Sequence, residues 1–316
     1  SHNMGVIAAA CDYVYVMKDG KMIENGCADD IFYNPQTEYT KKLLSDATAE
    51  QLLVKEKVFA AQENPLFTVR HLKKRFQNEE GVNDVSFDIC EGEVFALAGE
   101  SGSGKTTLAK ILTGLEQPDS GEVFCRGERV DRKNRKRNKN MHGKVRMIFQ
   151  DPYSSLNPCM TINEMLTETL RAKEKQIKFD QKERKKDRQR QIEQMLTRVG
   201  LSSLDGKRYP RELSGGQRQK AAIARALLLE PELLICDEAV SSLDAATRTQ
   251  ILDLLLRVVK EKKIACLFIS HDMALIRRIS HRTGVLYKGT LAECPGFMQG
   301  SVASVYESTS RFGNAA

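Results

Sequence analysis

A glycine-punctuated octapeptide, Gly99-Glu100-Ser101-Gly102-Ser103-Gly104-Lys105-Thr106, separates a short apolar run from a helical pattern. The run Glu93–Leu97, bounded by Gly92 and Gly99, reads as a strand buried on both faces, and a helix is expected from Lys105 to about Thr113. The octapeptide fits the pattern GxxxxGK followed by Ser or Thr. Glycines at such a junction let the backbone curl until successive N–H groups and the helix N-terminus face one point, which suits a polyphosphate. There Lys105 would neutralise phosphate charge and Thr106 would offer a hydroxyl to magnesium. A chain built around this junction has to feed a buried strand into a helix across a tight turn.

The rest of the pattern agrees with that demand. Leu233–Cys236 and Ala265–Ile269 are two more short, continuous apolar runs, and helical stretches at Gly216–Leu229 and Ala245–Lys260 alternate with them. Such alternation predicts an α/β domain with a largely parallel sheet. No apolar run approaches the ~18 residues of a bilayer-spanning helix, so a membrane role has to be peripheral. The eight cysteines are scattered, with no CxxC pair and no secretory leader. Neither a disulfide framework nor a zinc site is indicated, and a reducing, cytosolic setting is expected.

The net charge of +7 is local rather than general. Residues 131–146 carry +7 and residues 171–191 carry +6, which leaves −6 on the remainder. A solvated loop or helix face accounts for both segments, and no nucleic-acid partner is expected from charge alone.

Residues 1–25 align without a gap on residues 270–294, offset by 269, with identities at Ser1, His2, Met4, Ile7, Val16, Gly20 and Glu24. Both copies read as a helix followed by a hairpin. In the first, Val14–Met17 and Met22–Glu24 flank Asp-Gly turn chemistry, and helical patterns follow at Ala28–Phe32 and Tyr39–Leu44, interrupted at Asn34-Pro35. The expected organisation is residues 1–45 as the tail of a preceding unit, 46–65 as a linker, 66–293 as one complete domain and 294–316 as a divergent tail.

Asp237 and Glu238 end the apolar run Leu233–Cys236, where ligands gather in open α/β sheets. Paired acids at a strand end also serve as helix caps, and the two residues alone do not decide between these roles. Leu213-Ser214-Gly215-Gly216-Gln217, beginning 24 residues before Asp237, resembles the signature sequence of ATP-binding-cassette (ABC) ATPases. Further matches follow that family's order: Phe76 ahead of the loop, Gln150 in IFQDPYSSLNP, Ser242-Leu243-Asp244 after the acids, and His271 in ISHD. The resemblance runs continuously over about 65–293.

The resemblance implies a P-loop NTPase with ABC architecture: a RecA-like core sheet, an antiparallel β subdomain and an α-helical signature subdomain. It implies ATP and Mg2+ as cofactors. Phe76 would stack on adenine, although an aromatic near a domain start is also ordinary core. Gly99 to Thr106, with Thr107, would hold the phosphates; Thr106, Gln150 and Asp237 would hold the metal. Glu238 would polarise the attacking water, His271 would orient it against the γ-phosphate, and Lys105 and Gln150 would assist. Ser214, Gly215, Gly216, Gln217 and Asp244 would serve nucleotide held between two cassettes face to face.

QDPYSSLNP, RYPRELSGGQRQ and NPQTEYTKKLL resemble ATPase subunits of peptide, nickel and metal–opine importers, and Ala239 leans toward the nickel or metallophore members. The implied partners are a second cassette (a first half of the same polypeptide, a homodimer mate or a separate subunit), transmembrane permease subunits and an extracytoplasmic substrate-binding protein. The implied location is the cytoplasmic face of the cell membrane. The final stretch departs from the pattern, with no second NPxxxYT element. The competing class is a non-transport ABC ATPase acting on a ribosome, nucleic acid or maturing enzyme. The basic segments favour it, and the QDPYSSLNP loop and the lack of a long coiled-coil insertion oppose it. The basic segments are alternatively expected to approach anionic lipid or the permease.

Overall fold

The structure is a computed structural model that describes residues 11–18, 20–41, 44, 65–76, 81–130, 144–174, 181–241 and 243–294. The repeat's first ten residues, Asp19 of the hairpin turn, Ser242, most of the linker, the core of the first basic segment, residues 175–180 of the second and the tail beyond Cys294 lie outside the described residues. The chain divides into two compact units, Ser1–Lys57 and Val58–Ala316.

In the first unit, β1 (Tyr13–Lys18) and β2 (Lys21–Cys27) form an antiparallel hairpin and α1 (Ala28–Tyr33) follows directly. Among the described residues, Val16 and Ile31 are its buried apolar ones. Glu24 ties the hairpin to the segment after α1, accepting hydrogen bonds from the Gln36 and Thr37 amides (2.6 and 3.1 Å) and from Thr37 Oγ1 (2.7 Å). These contacts pull its carboxyl down to about 2, the Gln36 amide contributing most.

The second unit contains a six-stranded sheet in the order β12 (Thr290–Cys294), β11 (Arg282–Tyr287), β5 (Val94–Ala98), β10 (Ala265–Ile269), β9 (Leu233–Asp237), β8 (Val145–Ile148). All neighbours are parallel except the β11–β12 hairpin. A separate antiparallel sheet, in the order β4 (Gly81–Ile89), β3 (Phe67–Arg75), β6 (Ser120–Cys125), β7 (Glu128–Arg129), stands beside it. The expected strand Glu93–Leu97 is displaced by one residue: the Glu93 amide turns back to the Cys90 carbonyl (3.2 Å), although its own carbonyl still accepts from Cys266 on β10 (2.7 Å), and its side chain is wholly buried. Its carboxylate accepts from the Cys90 amide (2.7 Å) and from Arg282 (3.1 Å).

The apolar strands are buried on both faces because each faces its own core. Leu234, Cys236, Cys266 and Phe268 point into a cluster with Leu166, Ile192, Ile223 and Ile251. Leu233, Ile235, Leu267 and Ile269 point the other way, into a cluster with Leu72, Phe87, Leu108 and Ile111. The period-2 alternation therefore splits each strand between two layers. The helices covering the first cluster include α4 (Ile162–Glu174), α5 (Gln181–Arg198), α6 (Gly215–Leu227) and α7 (Ala245–Lys262). The second cluster holds α2 (Lys105–Thr113). The short helices α3 (Pro152–Ser155) and α8 (Met273–Ile279) also belong to the unit. Helix α6 ends two residues before the expected Leu229, and α7 runs two beyond the expected Lys260.

Candidate functional site

The turn from β5 into α2 is built on glycines with positive φ, two of which, Gly99 and Gly104, also leave no room for a Cβ. Gly99, Gly102 and Gly104 have φ of 151°, 81° and 103°. A Cβ on Gly99 would lie 2.3 Å from the Leu286 carbonyl oxygen, and one on Gly104 2.2 Å from that of Gly81. Lys105, the first residue of α2, is buried. Its ammonium donates to the carbonyls of Gly99 (2.8 Å) and Glu100 (2.6 Å) and approaches Ser103 Oγ (3.4 Å). Burial lowers the lysine's pKa, against the opposing charges of Glu238, Asp237 and Glu100.

Asp237 ends β9 at the same end of the sheet, and its Oδ2 accepts a 3.0 Å hydrogen bond from Thr106 Oγ1. Burial raises the Asp237 pKa, and the adjacent Glu238 charge adds to the rise; the Thr106 hydroxyl and the Lys105 and Lys110 charges oppose it. Glu238 adopts a left-handed backbone, φ 47°, unusual for a non-glycine residue. Its amide donates to Ile269 on β10, and its carbonyl accepts from the amide and hydroxyl of Ser241. The carboxylate meets His271 Nδ1 at 3.1 Å. Neither acid caps the following helix: Asp244 caps α7 by accepting from the Thr247 amide at 2.9 Å.

One cavity of about 570 Å3 is lined by Lys105, Thr106, Gln150, Asp237, Glu238 and, at β3's end, Phe76, together with Ser101, Gly102 and Gly104 of the turn and Thr107 of α2; His271 touches Glu238 but does not line the cavity. Phe76 is 42% exposed, so it is not core. Gly81 also lines the cavity. Nothing in its sequence context marks it, yet its carbonyl lies where only a glycine at 104 leaves room. Among the described residues no cluster of three or more His, Cys, Asp or Glu forms a ready metal cage. Hard oxygens from Thr106 and Asp237 beside Gln150 instead fit an ion such as Mg2+, which keeps waters and takes phosphate oxygens.

Ser214, Gly215, Gly216 and Gln217 lie at a second place and do not line this cavity. Ser214 and Gln217 form a reciprocal capping box at the start of α6, and Gln217 also donates to Asp205 at 3.2 Å. Gly216 presses on Thr247, which joins the start of α6 to the turn capped by Asp244. The Gln150 loop is tied to α6 by Arg218, stacked 5.6 Å over Tyr153, and by Arg225, which donates to the Ser155 carbonyl.

The ABC transporter family profile matches residues 82–241. The chain is 38% identical over 326 residues to the glutathione import ATP-binding protein GsiA of Escherichia coli K12, covering 93% of this chain and 51% of that protein. It is likewise 38% identical to GsiA of Shigella flexneri over 340 residues, covering 97% of this chain and 53% of the relative. The chain thus spans about half the length of the curated relatives it matches. A solved dimeric ATP-binding cassette in a post-hydrolysis state, bound to ADP and Pi, superposes with a TM-score of 0.63 at 26% identity, covering 73% of this chain and 100% of that one. The cbiO1 subunit of the Clostridium perfringens cbiONQ transporter shares the fold, with a TM-score of 0.64 at 24% identity over 78% of this chain and 92% of its own.

Proposed function

This chain belongs to the ABC transporter family, and from that premise we propose that it binds ATP with Mg2+ and hydrolyses it to drive a membrane importer. The observation that carries the reading is the convergence of Lys105, Thr106, Asp237 and Glu238 on one cavity that Phe76 also lines, with His271 held against Glu238 from outside that lining. In it, Phe76 stacks on adenine and the loop from Gly99 to Thr107 cradles the phosphates. Thr106, Asp237 and Gln150 hold the metal, which screens phosphate charge when bound. Lys105 gives up its contacts with the loop carbonyls for phosphate oxygens, Glu238 takes the proton of the attacking water, and His271 orients the water. This is phosphoryl transfer by positioning and charge neutralisation.

Ser214 to Gln217 and Asp244 serve nucleotide at a cassette–cassette interface, which agrees with their separation from the chain's own cavity. Residues 1–45 would be the tail of such a preceding cassette, joined by residues 46–65 to the cassette at 66–293, with 294–316 a divergent tail. Support comes from the hairpin itself. Tyr15 and Met17 on β1 are exposed, whereas their repeat equivalents Gly284 and Leu286 are buried on β11, which pairs with β5. The further partners are permease subunits and a substrate-binding protein, with the chain peripheral on the cytoplasmic membrane face. No described helix is long and apolar enough to cross a membrane. The glutathione-import relatives favour peptide-type cargo over nickel or metal–opine complexes, and favour transport over a macromolecular role.

Titrating Mg-ATP into the purified chain and following ATPase rate against protein concentration tests the reading. Binding, with a rate that rises faster than linearly as cassettes pair, supports it. No Mg-ATP binding overturns it, and a strictly linear rate down to dilute monomer overturns the paired-cassette part.

A further inference from the structure

We infer that Lys74 is a positioning residue for nucleotide-base recognition, holding the Phe76 ring from one side so that the other side is presented to a purine. The inference rests on the proposed role of Phe76 as the base platform.

The Lys74 ammonium lies 5.5 Å from the centroid of the Phe76 ring. It is fixed there by Glu116 Oε1 at 3.1 Å and Asp119 Oδ1 at 3.2 Å, and only 16% of its side chain is exposed. Asp119 is bound back to the same strand, accepting from the Arg75 amide (2.8 Å) and donating its own amide to the Lys73 carbonyl (2.8 Å). Hydrogen bonds to Glu116 and Asp119 hold the lysine's pKa above its ordinary value, so it stays charged throughout the working range.

A cation over one face of an aromatic ring occupies that face and draws the ring's electron density toward itself. The uncovered face is then the one left to a base, and it is a better partner for an electron-rich purine. The tether also reaches the phosphate end of the site. Glu116 and Leu115 donate their amides to the Lys110 carbonyl on α2 (3.1 and 2.9 Å), and α2 opens with Lys105 and Thr106. One helix thereby carries the phosphate-binding residues at its start and the anchor of the base platform just beyond its end. An ordinary surface ion pair would affect stability alone, by a small amount. A positioning lysine affects the base and not the phosphates.

The experiment compares Mg-ATP with Mg-tripolyphosphate, which lacks a base, on the full chain and on Lys74→Met, Lys74→Arg and Phe76→Ala, with KM and kcat for ATP in parallel. The expected result for Lys74→Met is an ATP affinity weakened about two- to fivefold. KM should rise by the same factor with kcat retained, tripolyphosphate binding should be unchanged, and Lys74→Arg should recover most of the loss. Replacing Glu116 by Gln and Asp119 by Asn together keeps the lysine but cuts its tether, and should reproduce the base-specific loss even if Lys74→Met folds poorly. Unchanged ATP affinity in Lys74→Met and in the tether variant, with Phe76→Ala impaired, overturns the inference. Equal losses of ATP and tripolyphosphate binding overturn it as well, by marking a structural role. Unchanged ATP affinity in Phe76→Ala overturns instead the base-platform reading beneath it.

Discussion

His271 Nδ1 lies 3.1 Å from Glu238 Oε1, which fixes one oxygen of a carboxylate that already sits on a left-handed backbone at the end of β9. The contact sets the direction of the carboxylate without using its second oxygen. In the general-base role proposed for it, Glu238 would contribute about 10²–10⁴-fold to the rate. Glu238→Gln keeps the shape and a hydrogen-bonding partner for His271 but cannot take a proton. Turnover should therefore fall by about that factor while Mg-ATP affinity stays within about threefold of the parent, measured by phosphate release and nucleotide titration. Normal turnover in the purified variant would contradict the assignment.

Lys105 is the converse case, since the effect proposed for it is on binding. Its ammonium is held by two loop carbonyls and is available to exchange them for phosphate oxygens. Charge-assisted hydrogen bonds are worth about 1.5–3 kcal/mol. Lys105→Ala should weaken both Mg-ATP and Mg-tripolyphosphate by about ten- to a hundredfold. Retained tripolyphosphate affinity would remove Lys105 from the phosphate site. The matched loss of both ligands is what separates this residue from Lys74.

The strands β9 and β10 were legible because their apolar runs are continuous, and the octapeptide because glycine spacing and a strand-to-helix context coincide. Glu93 lies one residue before the strand: its carboxylate turns back to the Cys90 amide three residues away, and only its second partner, Arg282, 189 residues on, is beyond the reach of local pattern. The spacing of Ser214 and Gln217 could have been read as a capping box, which the structure holds. Family order rather than periodicity pointed to a ligand there. Gly81 and Lys74 gave no signal at all. Each matters only through chain folded against it, Gly81 through Gly104 and Lys74 through Glu116 and Asp119.

In the first unit, Glu24 makes a prediction about pH. Its folded pKa of about 2 lies below the ordinary 4.5, so its contribution to stability is complete above 4.5 and is lost as pH falls toward 2. The amide protons of Gln36 and Thr37, which donate to this carboxylate, should titrate together with a midpoint near 2 in NMR spectra. In Glu24→Gln that titration should vanish. A midpoint near 4.5 would show that the hairpin and the Asn34–Thr40 segment are not joined through Glu24 in solution.

Gly216 differs from the loop glycines because its backbone conformation is open to other residues and only its surroundings are not. A Cβ there would lie 2.5 Å from Thr247 Cγ2, a side-chain methyl, whereas at Gly104 the obstacle is a backbone oxygen. Overpacking of this kind costs about 1–3 kcal/mol. Gly216→Ala should lower unfolding stability by that amount, and Thr247→Ser, which removes the methyl, should restore most of it in the double variant. Because Gly216 does not line the cavity, Mg-ATP affinity of the isolated chain should be unaffected in all three variants. Urea unfolding and nucleotide titration read the two effects separately. A double variant no more stable than Gly216→Ala alone would mean that α6 and α7 do not meet through this contact, and a loss of Mg-ATP affinity would place the start of α6 within the chain's own nucleotide site.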